Sequence, residues 1–130
     1  MNEERRILAQ SWFRKSEIAF KDGAGLLERA SYWSAVNRFY YAAFYSARAP
    51  LSLKGLDSSK HSGVISLFHL HFVKTGLIDH PTASALRISF DRHLEGDYGD
   101  SVEFTKEETS EIQDQVRRFV NACKKLFKNH

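Results

Sequence analysis

The stretch Ser31–Pro50, SYWSAVNRFYYAAFYSARAP, limits what this chain can fold into more than any other. Trp33, Val36, Tyr40, Ala43 and Ala47 recur at spacings of three and four, and Tyr32, Phe39 and Phe44 widen the stripe. A helix apolar around so much of its circumference has to be packed on several sides. The alanines at 42, 43, 47 and 49 admit a close neighbour. Ser31 is the expected N-cap, and Pro50, which has no N–H to donate, is the expected stop. The stretch predicts the central helix of an all-α domain.

The rest of the chain supplies partners for it. From about Glu3 to Ala30, the residues Ala9, Phe13, Ser16, Phe20, Gly23 and Leu27 keep helical spacing, with Leu8 and Trp12 alongside. Asp22-Gly23-Ala24-Gly25 interrupts them, and each glycine costs about 1 kcal/mol against alanine inside a helix. Either the helix frays there or the glycines permit close contact; one bent helix is expected. Leu51–Ser59 has turn chemistry in Lys54-Gly55 and Asp57-Ser58-Ser59. A third helix is expected from about Lys60 to Lys74, with Val64, Ile65, Phe68, Phe72 and Val73 inward and Gly76 as its cap. Asp79 or His80, ahead of Pro81, caps a fourth. It carries Ala83, Leu86, Phe90 and His93 or Leu94, and should stop near Gly96.

Thr105-Lys106-Glu107-Glu108 is a capping box. The helix it opens buries Ile112, Val116, Phe119, Val120, Cys123, Leu126 and Phe127. Its acids come early and Arg117, Arg118, Lys124, Lys125 and Lys128 come late, which suits the helix macrodipole. The expected architecture is an antiparallel up-and-down bundle of four to five helices, one domain over residues 1–130.

Composition excludes several classes. With 42% hydrophobic and 13% aromatic residues, disorder is not expected. A formal charge of +3 is compatible with nucleic acid but not diagnostic of it. The lone Cys123 excludes an internal disulfide and a cysteine zinc site. No apolar run approaches the ~18 residues of a membrane span, and MNEERR does not read as a signal peptide. A cytoplasmic location without membrane contact is the expectation. There is no glycine-rich phosphate loop, no Gly-x-Ser-x-Gly elbow and no His-Glu-x-x-His. His69 and His71, two apart, diverge on a helix, so no metal and no cofactor is expected. Glu95, Asp97, Asp100 and Glu103 could attract Mg²⁺ or form a solvated loop. Arg117, Arg118, Lys124 and Lys125 could contact phosphates or compensate the dipole.

Two motifs remain. In Arg92–Asp100, RHLEGDYGD, the residues Arg92, Asp97 and Tyr98 bring a guanidinium, a carboxylate and a phenol to the end of the fourth helix. They could be an anion site with Arg92 as a phosphate fork. Equally, Arg92 could pair with Asp97 while Tyr98 packs on the bundle. Lys60-His61-Ser62-Gly63 falls at a helix N-terminus, where backbone N–H groups favour an anion. Lys60 and His61 would strengthen phosphate binding there, or are solvated first-turn residues.

The succession of LLERASYWSAVNRFYYAAFYSARAPL, SSKHSGVISLFHLHFVKTG and RHLEGDYGD resembles the HEPN (higher eukaryotes and prokaryotes nucleotide-binding) domain, in particular its small stand-alone prokaryotic members. The resemblance implies a bundle of four or five helices, assembled as a homodimer. It also implies a minimal nucleotidyltransferase as partner in a toxin–antitoxin pair. Family members with an Arg-x4-6-His motif are metal-independent ribonucleases. Here Asp97 stands where that histidine would follow Arg92, and a carboxylate is a poor substitute for imidazole near neutral pH. Arg87 with His93 satisfies the spacing, inside the helix. The leading expectation is a dimeric accessory module that binds nucleotide or RNA phosphate beside a nucleotidyltransferase. A ribonuclease toxin and a purely structural partner are the rivals.

Overall fold

Every regular element among the described residues is helical. The computed structural model describes residues 2–98 and 103–128, apart from the side chains of 96–98. The order is α1 (Glu3–Glu28), α2 (Tyr32–Leu53), α3 (His61–Phe68), a π-helical turn (His69–Val73), α4 (His80–Tyr98) and α5 (Lys106–Lys128). Helix α2 is the hub, packed against α1, α3, α4 and α5. It contributes Ala35, Val36, Phe39, Tyr40, Ala43, Phe44 and Ala47 to the core, all nearly or wholly buried.

The α1–α2 seam shows why small residues sit where they do. Phe20 meets Phe39, Ser16 Oγ donates to the Ala42 carbonyl at 2.7 Å and Trp12 stacks on Tyr45, so the two helices run antiparallel. Gly23 is in van der Waals contact with Phe39: a Cβ on it would lie 2.7–2.8 Å from the ring. The glycine therefore marks close packing inside an unbroken helix, not a fray. Helix α5 lies antiparallel to α1, Phe13 edge-on to Phe127 and Lys124 paired with Glu17 at 3.3 Å. Its capping box forms as the sequence predicts, Thr105 Oγ1 accepting from the Glu108 N–H at 3.0 Å and Glu108 Oε1 from the Thr105 N–H at 2.9 Å.

Several boundaries differ from the sequence expectation. Pro50 does not stop α2, which continues to Leu53 with the proline in its last turn. Burial of Leu51 and Leu53 outweighs the one lost hydrogen bond. The true stop is Gly55, at φ +72°, where the Leu56 N–H returns to the Leu51 carbonyl and the Gly55 N–H to that of Ser52. Ser31 takes the N-cap position, but its hydroxyl makes no capping bond. The third helix changes register at His69 into the π turn, closed by the Lys74 N–H on the His69 carbonyl at 2.8 Å. Asp79 caps α4 by accepting from the Thr82 N–H at 3.0 Å, and the helix passes Gly96 to reach Tyr98. Leu8 and Trp33, placed inward by periodicity, are each 49% exposed.

Candidate functional site

On α2, residues 37, 40, 41, 44 and 48 fall on one side of the helix because three and four positions make about one turn. They are Asn37, Tyr40, Tyr41, Phe44 and Arg48. This side faces the start of α3 and the later half of α4, and two histidines meet it. The Tyr40 hydroxyl is 2.5 Å from His61 Nδ1, and His61 stacks on Phe44 with ring centres 4.2 Å apart. From α4, His93 lies flat on Tyr40 at 4.8 Å and 13°. Tyr41 stands edge-on to both imidazoles.

Protonation states follow from the partners. Burial pushes the Tyr40 phenol far above its ordinary range, so the hydroxyl keeps its proton and donates it to His61 Nδ1. The His61 pKa is held down by burial first, then by the neighbouring His93 and Arg48. His61 is thus neutral at pH 7, with its proton on Nε2. Asn37 Oδ1 accepts from Arg38 Nε and Nη2, each at 3.2 Å, which turns its amide nitrogen toward His93 Nδ1 at 3.2 Å. Asn37 thus holds the His93 ring at Nδ1 while Tyr40 holds its face. Arg38 completes the group, its guanidinium 5.0 Å from the centre of the Tyr41 ring. Among the described residues no carboxylate pairs with it.

At one margin of the cluster Arg48 is clamped to Asp57, with Nη2 2.7 Å from each carboxylate oxygen. Its guanidinium lies 4.0 Å from the Trp12 ring centre. The Arg48 Nε–H is buried and has no hydrogen-bond partner among the described residues.

The residues singled out in the sequence divide among three places. His61 and His93 come together on Tyr40, although they belong to different motifs. Lys60 is exposed at the N-cap of α3, where its side chain makes no capping bond. Arg92 turns to α5: it bonds Glu108 at 2.8 Å and Glu95 at 3.4 Å, 5.0 Å above Phe104. Arg87 is exposed, about 120° around α4 from the buried His93 by helical geometry. The side chains of Asp97 and Tyr98 lie outside the described residues, as does Asp100 of the acidic loop. Among the described residues no three potential metal ligands cluster, and no helix is long and apolar enough to cross a membrane.

Asn37, Arg38 and Tyr40 were not legible as site residues. They sit within NRFYY, where the aromatics read as core. One signal was available: a buried tyrosine hydroxyl needs a partner, and a histidine is a common one.

Comparison with known proteins places the chain. The HEPN domain family model matches residues 9–126. A UPF0332 protein of Thermotoga maritima is 38% identical over 129 residues, covering 99% of this chain and 97% of the relative. Two proteins of Methanocaldococcus jannaschii, named "Putative toxin" MJ0605 and MJ0142, are 34% and 31% identical. They cover 98% and 87% of this chain, and 95% and 77% of their own lengths.

Proposed function

This chain belongs to the HEPN domain family, and on that premise we propose that it is a toxin–antitoxin-type module that binds RNA phosphate. The site is the cluster of Asn37, Arg38, Tyr40, Tyr41, His61 and His93. As the family resemblance implies, it works as a homodimer with a minimal nucleotidyltransferase as partner.

The observation that carries this reading is the posture of Arg38. Asn37 takes two of its N–H groups and Tyr41 takes its face, so the guanidinium is oriented while its remaining donors stay available for an oxyanion. The neutral imidazole of His61 beside it adds an N–H donor without adding charge. Arg92, by contrast, already holds two carboxylates. The toxin names of two relatives support the toxin–antitoxin part of this reading.

A ribonuclease reading has one observation in its favour. Cleavage without metal needs a base for the 2′-hydroxyl and an acid for the leaving oxygen, and imidazole does either. Tyr40 holds two imidazoles in one place, so the pair would be His61 and His93 in preference to Arg87 and His93.

Binding and cleavage are separable by experiment. Filter binding of a single-stranded oligoribonucleotide should weaken about tenfold or more in Arg38→Ala. Incubation of the same RNA with wild type in EDTA should leave it intact. If wild type cuts the RNA and both His61→Ala and His93→Ala stop it without loss of binding, the ribonuclease reading replaces ours. Unchanged affinity in Arg38→Ala would remove the site. Sedimentation at micromolar concentration tests the dimer, for which a 15.0 kDa monomer is the contrary result.

A further inference from the structure

A large cleft lies away from this cluster, at the end of the bundle where α2 and α5 both finish. Its volume is about 720 Å³, and Pro50, Leu53, Phe72, Ile78 and Leu126 make an apolar lining. Three cations border it: Lys54 just past the end of α2, and Arg118 and Lys125 on α5. Arg118 and Lys125 are seven residues apart, two helical turns, so they emerge from the same side of α5. Asn121 lies between them on that side and also borders the cleft.

These three cations converge on one cleft without a paired counter-charge among the described residues. Two neighbours on α5 do have partners: Arg117 bonds Asp114 at 2.9 Å, and Lys124 bonds Glu17 at 3.3 Å. Among the described residues, Lys54, Arg118 and Lys125 have no ion pair. The Lys54 ammonium has only the Phe72 ring, 5.7 Å away. One carboxylate, Asp79, borders the cleft, and both its oxygens accept from Thr82. That use keeps its pKa below the ordinary range and its charge directed at the start of α4. Three cations against one committed carboxylate leave a net positive rim over an apolar lining, in a cavity of the size that holds small ligands.

We infer that this cleft is a second anion site, taking the phosphate chain of a nucleotide at the Lys54–Arg118–Lys125 rim and its base against the apolar lining. Its ligand is a nucleoside di- or triphosphate, or the 5′-phosphorylated end of an RNA. The two share the chemistry of a phosphate beside a flat ring. The site is independent of the RNA cluster, about fourteen residues along α2 from Tyr40 to Lys54.

Isothermal titration with ADP tests this, with adenosine and inorganic pyrophosphate as the separate halves of the ligand. ADP should bind more tightly than either half, and affinity should fall as salt rises. Arg118→Glu and Lys125→Glu should each weaken ADP about tenfold or more. All three cations are exposed, so these variants should fold as wild type does. Arg38→Ala should leave ADP binding unchanged, which keeps failure of this site apart from failure of the RNA site. Oligoribonucleotides with a 5′-phosphate or a 5′-hydroxyl distinguish the two sources: a preference for the phosphorylated end that Arg118→Glu abolishes assigns the site to RNA ends. Equal affinity for ADP and adenosine, or ADP binding indifferent to both glutamate variants, would overturn the inference. So would an acidic peptide that binds while ADP does not.

Discussion

The two long sides of α2 differ in kind. Toward α1 the helix presents Phe39 and the Ala42 carbonyl to Gly23 and Ser16, and the contact is close. Toward α3 and α4 it presents Asn37, Tyr40 and Phe44 to two histidines, and the contact is made of oriented polar groups on aromatic faces. Phe39 and Tyr40 are adjacent and both wholly buried, yet they serve opposite sides. A side chain on the first seam is defined by its volume. On the second it is defined by which atom donates. The first seam holds α1 and α2 together, and the second uses that rigidity to hold two imidazoles against one tyrosine.

The comparison breaks first at Gly23. Gly23→Ala puts a methyl group inside the Phe39 ring contact, and overpacking of this kind costs about 1–3 kcal/mol. Thermal unfolding should drop by several degrees while the remaining folded protein binds RNA as before. An unshifted melting temperature would mean that the α1–α2 seam is looser than described.

Tyr40→Phe probes the other side with almost no change of volume. It removes the donor to His61 Nδ1, and leaving a partly buried acceptor unpaired costs about 1–2 kcal/mol. RNA affinity should fall as well, because His61 is no longer held. Loss of stability with full RNA affinity would make the second seam another packing surface.

A pH series sharpens the same point. The His61 pKa is lower in the folded protein than unfolded, so the unfolded chain binds the proton first as pH falls. The contribution of His61 is therefore complete above the ordinary histidine pKa of about 6.5, and is lost as pH drops through that value toward the folded pKa. The melting temperature of His61→Gln should vary less with pH between 8 and 5 than that of wild type. Parallel curves would show that His61 titrates as an exposed residue.

The smallest effect is expected at Arg92→Lys. The arginine joins α4 to the capping box of α5 through exposed carboxylates, and solvent-screened pairs of this kind contribute little to stability. Melting should hardly move, and RNA binding should weaken less than in Arg38→Ala. A larger loss in Arg92→Lys would return the phosphate to the RHLEGDYGD motif.

Local chemistry made much of this protein legible in its residues. Helical periodicity, the Thr105–Glu108 box and the Asp79 cap depend on neighbours within four positions, so the sequence by itself determined five helical segments, the final helix start and the centrality of Ser31–Pro50. The succession of motifs also pointed to the family. Other features depended on contacts between distant segments. Only the tertiary structure could show that Pro50 is carried inside α2 by the burial around it, or that Gly23 makes room for Phe39. Only it could take Arg92 to Glu108 and bring His61 and His93, thirty-two positions apart, onto one tyrosine. Spacing rules report which residues share a face of one helix. They carry no information about which face of another helix will be opposite, and the chemistry of this protein is assembled across that gap.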